Sequence, residues 1–263
     1  MIKMGLFAAM LCVAIPAAAQ TPAAPAWTPL FDGKDWNGWT IAWAKPPIDD
    51  RPASSVFTIE NGVIHTYADA EAGSKQQQAY LLTNGDYRDY RLSLEYKWGT
   101  KKFPPRMELV RDAGLLFHVY DHSILNWPRS VEAQIEEGDT GDLWAISTHA
   151  TSTILPLTQR YMPAKDGGVP VTVGNVDTSE RIRHGALNEL PEWNTLEIVV
   201  HGDTATYIVN GFVNMRVHGL QRWDAATKSW VKLDHGQIAI QAEFAELYYR
   251  NIKIRPLTRD EMK

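Results

Sequence analysis

The sequence predicts an all-β protein, either a sandwich or a barrel. Three observations carry this. Several segments alternate apolar and polar residues with period two, as a half-buried strand does. Turn signals of the Asn-Gly and Gly-Asp type separate them at spacings of about 8–12 residues. No segment of about 12 or more residues carries the apolar period of an amphipathic helix.

The elements follow in order. Val56–Glu60 and Val63–Thr66 flank Asn61-Gly62, a strong hairpin signal. Tyr90, Leu92, Leu94, Tyr96 and Trp98 alternate with Arg91, Ser93, Glu95 and Lys97. Leu115–Tyr120 and Val131–Glu137 are the next strand candidates. Asn194–Val200 and Thr204–Val209 lie either side of Gly202-Asp203, and Asn210-Gly211 turns the chain into Phe212–Val217. Gly236–Gln241 and Leu247–Ile254 complete the set. Residues 148–191, with Pro156, Pro163, Gly167-Gly168, Pro170 and Pro191, read as a long irregular loop bordering a site.

Composition narrows the function. The chain has 263 residues, 44% hydrophobic and 22% charged, which argues against wholesale disorder. The net charge is -5, and no basic run carries interleaved aromatics, so a nucleic-acid partner is not expected. Residues 1–19 read as an export signal: Lys3, the apolar run Gly5–Ile15, Pro16, then Ala17-Ala18-Ala19 before the cut. The only cysteine, Cys12, lies inside that signal, so thiol chemistry and disulfides are not expected in the mature chain. We expect a flexible lead over 20–26, one β-sandwich domain over 27–257 and a tail over 258–263. The expected location is a bacterial periplasm or the exterior, with no membrane attachment after cleavage.

The segment richest in chemistry is Val131-Glu132-Ala133-Gln134-Ile135-Glu136. Period two puts Glu132, Gln134 and Glu136 on one face, leaving Val131, Ala133 and Ile135 for the interior. The turn that follows, Gly138–Leu143, is dense in glycine and carboxylate and ends on Trp144. Carboxylates beside an aromatic suit a sugar ring, whose C–H face packs on the aromatic while its hydroxyls take polar partners. Glu132 and Glu136 lie about 13 Å apart along an ideal strand. Retaining glycosidases need roughly 5–5.5 Å and inverting ones roughly 6.5–9.5 Å between carboxyls. An ordinary two-carboxylate glucanase therefore needs a bulge or converging side chains. His118 is a candidate base on the same sheet face, and His149, at the start of the long loop, is placed to reach the same pocket. His118 and His122 are spaced i, i+4 but on a strand end, where they do not converge on a metal. A non-catalytic carbohydrate-binding module fits the same residues.

The order of motifs resembles the 3-keto-disaccharide hydrolase domain family. The resemblance rests on Leu30-Phe31-Asp32-Gly33-Lys34 with Gly38-Trp39, Glu60-Asn61-Gly62-Val63, Tyr87–Tyr96, Glu132-Ala133-Gln134-Ile135, Glu192-Trp193-Asn194, Asn210-Gly211, Gly236–Gln241 and Arg250–Ile254. These run in the family's order from about residue 27 to 256. The resemblance implies a concanavalin-like jelly-roll β-sandwich of two curved antiparallel sheets. It also implies action on glycosides already oxidised to a ketone at C3. The ketone acidifies the C2 proton; a base removes it, and the aglycone leaves C1 by elimination. One base suffices, with hydrogen bonds or a metal to stabilise the enolate oxygen. On this reading Glu132 or His118 is the base. Gln134, Glu136, His149 and Gln241 contact the sugar, Trp144 forms a stacking wall, and Arg250 steadies the strand carboxylates or forms a structural ion pair. Asp139 and Asp142 are the candidate ligands of a divalent cation, with calcium favoured by hard oxygen donors and a transition metal as the alternative. No organic cofactor is expected. The chain departs from the family's Asn-Ser-Gly strand at Asp112-Ala113-Gly114, and has His118 where the family pattern places arginine.

Overall fold

The computed structural model describes residues 25–122 and 126–262; the expected export signal, with Cys12, lies outside them. The described chain contains strands and two 3-10 turns. They form two antiparallel sheets, one of twelve strands and one of seven, packed face to face as a jelly-roll sandwich. The seven-stranded sheet carries the candidate site. Its order is Ser179–Ile182, Leu143–Ile146, Arg129–Glu136, Asp112–Asp121, Gln237–Ala242, Ala79–Thr83, Trp39–Trp43.

Period-two alternation builds the core between the sheets. Val131, Ala133 and Ile135 face inward with Ala113, Leu115 and Phe117 from the neighbouring strand. Tyr90, Leu92, Leu94, Tyr96 and Trp98 meet them from the twelve-stranded sheet, together with Leu196 and Ile198. Each fully buried leucine there contributes about 1.5–3 kcal/mol relative to exposure. Both Asn-Gly turns form as read: Asn61 and Gly62 have φ of 51° and 82°, Asn210 and Gly211 of 50° and 85°. Positive φ at both central residues gives the turn whose twist matches antiparallel strands.

The stretch 148–191 is not the irregular loop its prolines suggest. Thr148–Leu155 joins the large sheet beside Phe212–Asp224, and Val169–Val173 pairs back onto it. Pro170 is tolerated because Val169–Val173 has only this one partner. Ser179–Ile182 forms the edge of the seven-stranded sheet against Leu143–Ile146. At the other end, Glu261 accepts hydrogen bonds from Arg91, Arg255 and Thr258. The tail region is thereby held to the sheet.

Candidate active site

The outer face of the seven-stranded sheet carries the polar residues in registered rows. Glu136 and Asp112 stand side by side on adjacent strands, and Glu243, just past the end of Gln237–Ala242, bridges to Asp112 on its other side. In the next row Gln134 lies opposite Gly114, and in the third Glu132 lies between Leu116 and Trp144. Sheet pairing thus gathers carboxylates that are distant in sequence.

Glycine at 114 makes the arrangement possible. A Cβ there would overlap the Glu132 carboxylate and stand 2.7 Å from Gln241 Oε1. The Glu132 side chain therefore lies across Gly114. Gly114→Ala is expected to displace the carboxylate and lower kcat/KM about 100-fold while the strand pairing survives. Turnover measured alongside far-UV circular dichroism tests this; an active alanine variant would break the link.

Glu132 is 5% exposed and lines a pocket of about 210 Å³ with Asp112, Gln134, Trp144, Trp127 and Arg106. No described side chain donates a hydrogen bond to its carboxylate. Its pKa is raised well above the usual value, first by burial and then by Asp112, Glu243 and Glu136, with Arg181 opposing. Asp112 is raised likewise by burial and by Glu243. Burial also raises Glu243, against the pull of Arg106.

Two guanidinium groups organise these acids. Arg106 forms an ion pair with Asp112 at 2.7 Å, donates to Glu136 at 3.4 Å, and lies 3.9 Å from Glu243. Its Nε is buried with no partner. Arg181 reaches Glu136 and Asp139 at 2.9 Å each, pairs with Asp142, and lies over the Trp144 ring. Gln134 donates to Asp112 at 2.9 Å, and Gln78 donates to Glu243 at 2.8 Å. Gln241 is 1% exposed, and both ends of its amide are buried without partners beside Gly114.

Of the residues expected at the site, Glu132, Gln134, Glu136, Trp144 and Gln241 gather on this face. Glu136 is bound to two arginines and so serves as their counter-ion. Three others are placed elsewhere. His118 has φ 53° at a register shift after Phe117, and this bulge turns its ring inward. Its Nε2 meets the Gly202 carbonyl at 3.1 Å, and burial pulls its pKa down to about 4. His149 lies on the large sheet and stacks on Trp230 with ring centres 3.5 Å apart. Arg250 donates to Glu95 at 2.7 Å and covers Trp193, also on the large sheet. There it forms an ion pair with Glu95.

Asp139, Asp142 and His184 bring one ligand atom each within 4.8 Å of one another, a set that could hold a metal ion. The donor atoms already have partners. Asp142 accepts from the His184 backbone N–H at 2.6 Å, contacts His184 Nδ1 at 2.5 Å and pairs with Arg181. Asp139 forms an ion pair with Arg181 and accepts from Arg183. A cation here would compete with a guanidinium for both carboxylates, so the cluster fits an arginine anchor better than a metal cradle.

Sequence reasoning missed Asp112, Glu243, Arg106, Arg181 and Trp127 as site residues. Asp112 and Gly114 were visible only as a departure from the family pattern.

The structure resembles a provisionally assigned glycosyl hydrolase of Parabacteroides distasonis at 16% identity and a TM-score of 0.51, covering 88% of this chain and 94% of that one. It also resembles the carbohydrate-binding module CBM66 of Bacillus subtilis (12% identity, TM-score 0.42, 83% and 95% covered) and a Bacillus licheniformis β-glucanase (8%, 0.44, 90% and 100%). At such identities the likeness is one of fold. None of the curated proteins gives a significant match. The model of the 3-keto-alpha-glucoside-1,2-lyase-like domain matches residues 26–255, so the chain has a carbohydrate-active fold and belongs to that family.

Proposed function

We propose that this protein, acting after export to the periplasm or exterior, cleaves 3-keto-glycosides by removing the C2 proton and eliminating the C1 aglycone. The observation that carries this is a single unpartnered carboxylate, Glu132, buried in a pocket of one-sugar size whose other acids, Asp112 and Glu243, are paired with Arg106. Elimination needs one base, and a carboxylate with a raised pKa is a stronger base than an exposed one. Glu132 takes the C2 proton. The C2–H electrons pass to the C3 carbonyl as an enolate, then return to form the C1–C2 double bond as the C1–O bond breaks. Glu132 returns its proton to the departing aglycone oxygen, which regenerates the base, and addition of water across the C1–C2 double bond completes net hydrolysis. The buried, unpartnered Arg106 Nε–H is the donor best suited to the enolate oxygen, and the free Gln241 amide is suited to the ring hydroxyls. Trp144 and Trp127 wall the pocket, with Trp127 fixed edge-on against Tyr80.

Turnover of a 3-keto-glucoside beside its unoxidised parent tests the reading. Cleavage of the keto substrate alone is the expected result. Release from the parent glucoside would return the two-carboxylate scheme, and binding without cleavage of either would leave a carbohydrate-binding module.

A further inference from the structure

Beside the sugar-sized pocket lies a second, larger concavity of about 1020 Å³. Arg106, Asn126 and Glu243 line both, so the two are one continuous cleft. A substrate whose C1–C2 bond sits at Glu132 must send its aglycone out of the smaller pocket, and this groove is the adjoining space.

The walls of the groove are apolar in character. Pro46, Ile48, Pro104, Pro105, Leu109 and Phe244 supply them. Ile48 and Leu109 are 48% and 51% exposed, an uncompensated apolar surface at the mouth of the proposed site. Gln76-Gln77-Gln78 form a polar wall away from the junction with the sugar pocket, and their amides are largely engaged within the protein. Gln76 donates to Ser74 and accepts from Arg51. Gln77 donates to the Lys45 and Pro46 carbonyls and accepts from the Ile48 N–H. Gln78 donates to Glu243. On that wall few amide groups therefore remain for the hydroxyls of a second sugar; the unpartnered Asn126 Oδ1 lies at the junction with the sugar pocket. Lys45 and Lys75 are the remaining charged groups on the lining, and an ammonium over an aromatic face is attractive.

We infer that this groove receives the aglycone and selects an apolar, aromatic one over a second sugar. The inference rests on the proposed elimination at Glu132 and adds the substrate class. The test keeps the leaving group constant. The 3-keto-glucosides of ethanol and of 2-(2-naphthyl)ethanol are compared, since both depart as primary alcohols. The naphthyl substrate is expected to show a KM at least tenfold lower. In the double variant Ile48→Ser, Leu109→Ser the ratio of the two KM values is expected to fall towards one. Calorimetric binding of both compounds to the Glu132→Gln protein is expected to give the same tenfold ratio without turnover. Equal KM values and equal affinities in the wild-type groove would overturn the aglycone assignment while leaving the elimination reading intact. Absence of turnover of both keto substrates would instead sink the elimination reading. The affinity ratio would then still decide the groove.

Discussion

Replacing Glu132 by Gln is expected to lower kcat on a 3-keto-glucoside by on the order of 10²–10⁴-fold, the usual contribution of a positioned general base. Stability is expected to hold or rise. Burial and the neighbouring Asp112, Glu243 and Glu136 lift the Glu132 pKa, so in the folded protein its charged form is disfavoured. A carboxyl whose folded pKa exceeds its unfolded value binds protons more readily when folded. Its contribution to stability is therefore greatest below the unfolded pKa, about 4.3, and falls as pH climbs towards the raised folded value. Glutamine keeps the shape and removes that cost. The melting-temperature difference between variant and wild type should accordingly grow in the variant's favour across this window. The same shift sets the activity profile. The base works deprotonated, so kcat/KM is expected to rise with pH along an acid limb placed above the ordinary glutamate range. A Glu132→Gln protein that retains turnover would remove the base assignment. An acid limb at ordinary glutamate values would show that the cluster does not perturb Glu132 as described.

What could be read in the chain, and what could not, divides along a physical line. Side-chain alternation is local, so Tyr90 to Trp98 of the strand Tyr90–Lys102 and the inward set Val131, Ala133 and Ile135 were legible from spacing alone. The same period placed Glu132, Gln134 and Glu136 together on the outer face. The partners of Glu132 were not legible, because pairing register is a long-range property. Asp112 reaches the Glu136 row from the adjacent strand, Glu243 from just past the end of Gln237–Ala242, and Arg106 from the segment before Asp112. His118 shows how far one bulge matters. Strict alternation would have put it beside Leu116 on the outer face. Instead Val119 takes the outer side and His118 turns in towards Gly202. The stretch 148–191 misled for another reason. Most of its prolines and glycines sit between short strands and Pro170 lies within one that has a single partner, while Arg181 and His184, which hold the acidic turn, come from its last third.

That acidic turn carries the largest stability effect expected here. Asp142 is fully buried and takes Arg181 on one oxygen and both the backbone N–H and the ring of His184 on the other. Asp142→Ala leaves a half-buried guanidinium and a buried imidazole without their shared acceptor. Breaking one side of a buried ion pair costs about 3–5 kcal/mol. For a domain of this size that corresponds to a melting temperature lower by about 6–20 °C. Arg181→Met is expected to be less harmful, since Asp142 retains the two His184 donors. The double variant should cost less than the sum of the singles, as groups in direct contact do. Activity should fall with Asp142→Ala, because Arg181 also fixes Glu136 at 2.9 Å and covers Trp144, the wall of the sugar pocket. Thermal melts with and without a chelator separate the two accounts of this cluster. If Arg181 is the counter-charge, the chelator leaves the wild-type melting temperature unchanged. A chelator-sensitive melt, with Arg181→Met stable and still metal-responsive, would instead assign Asp139, Asp142 and His184 to a bound cation.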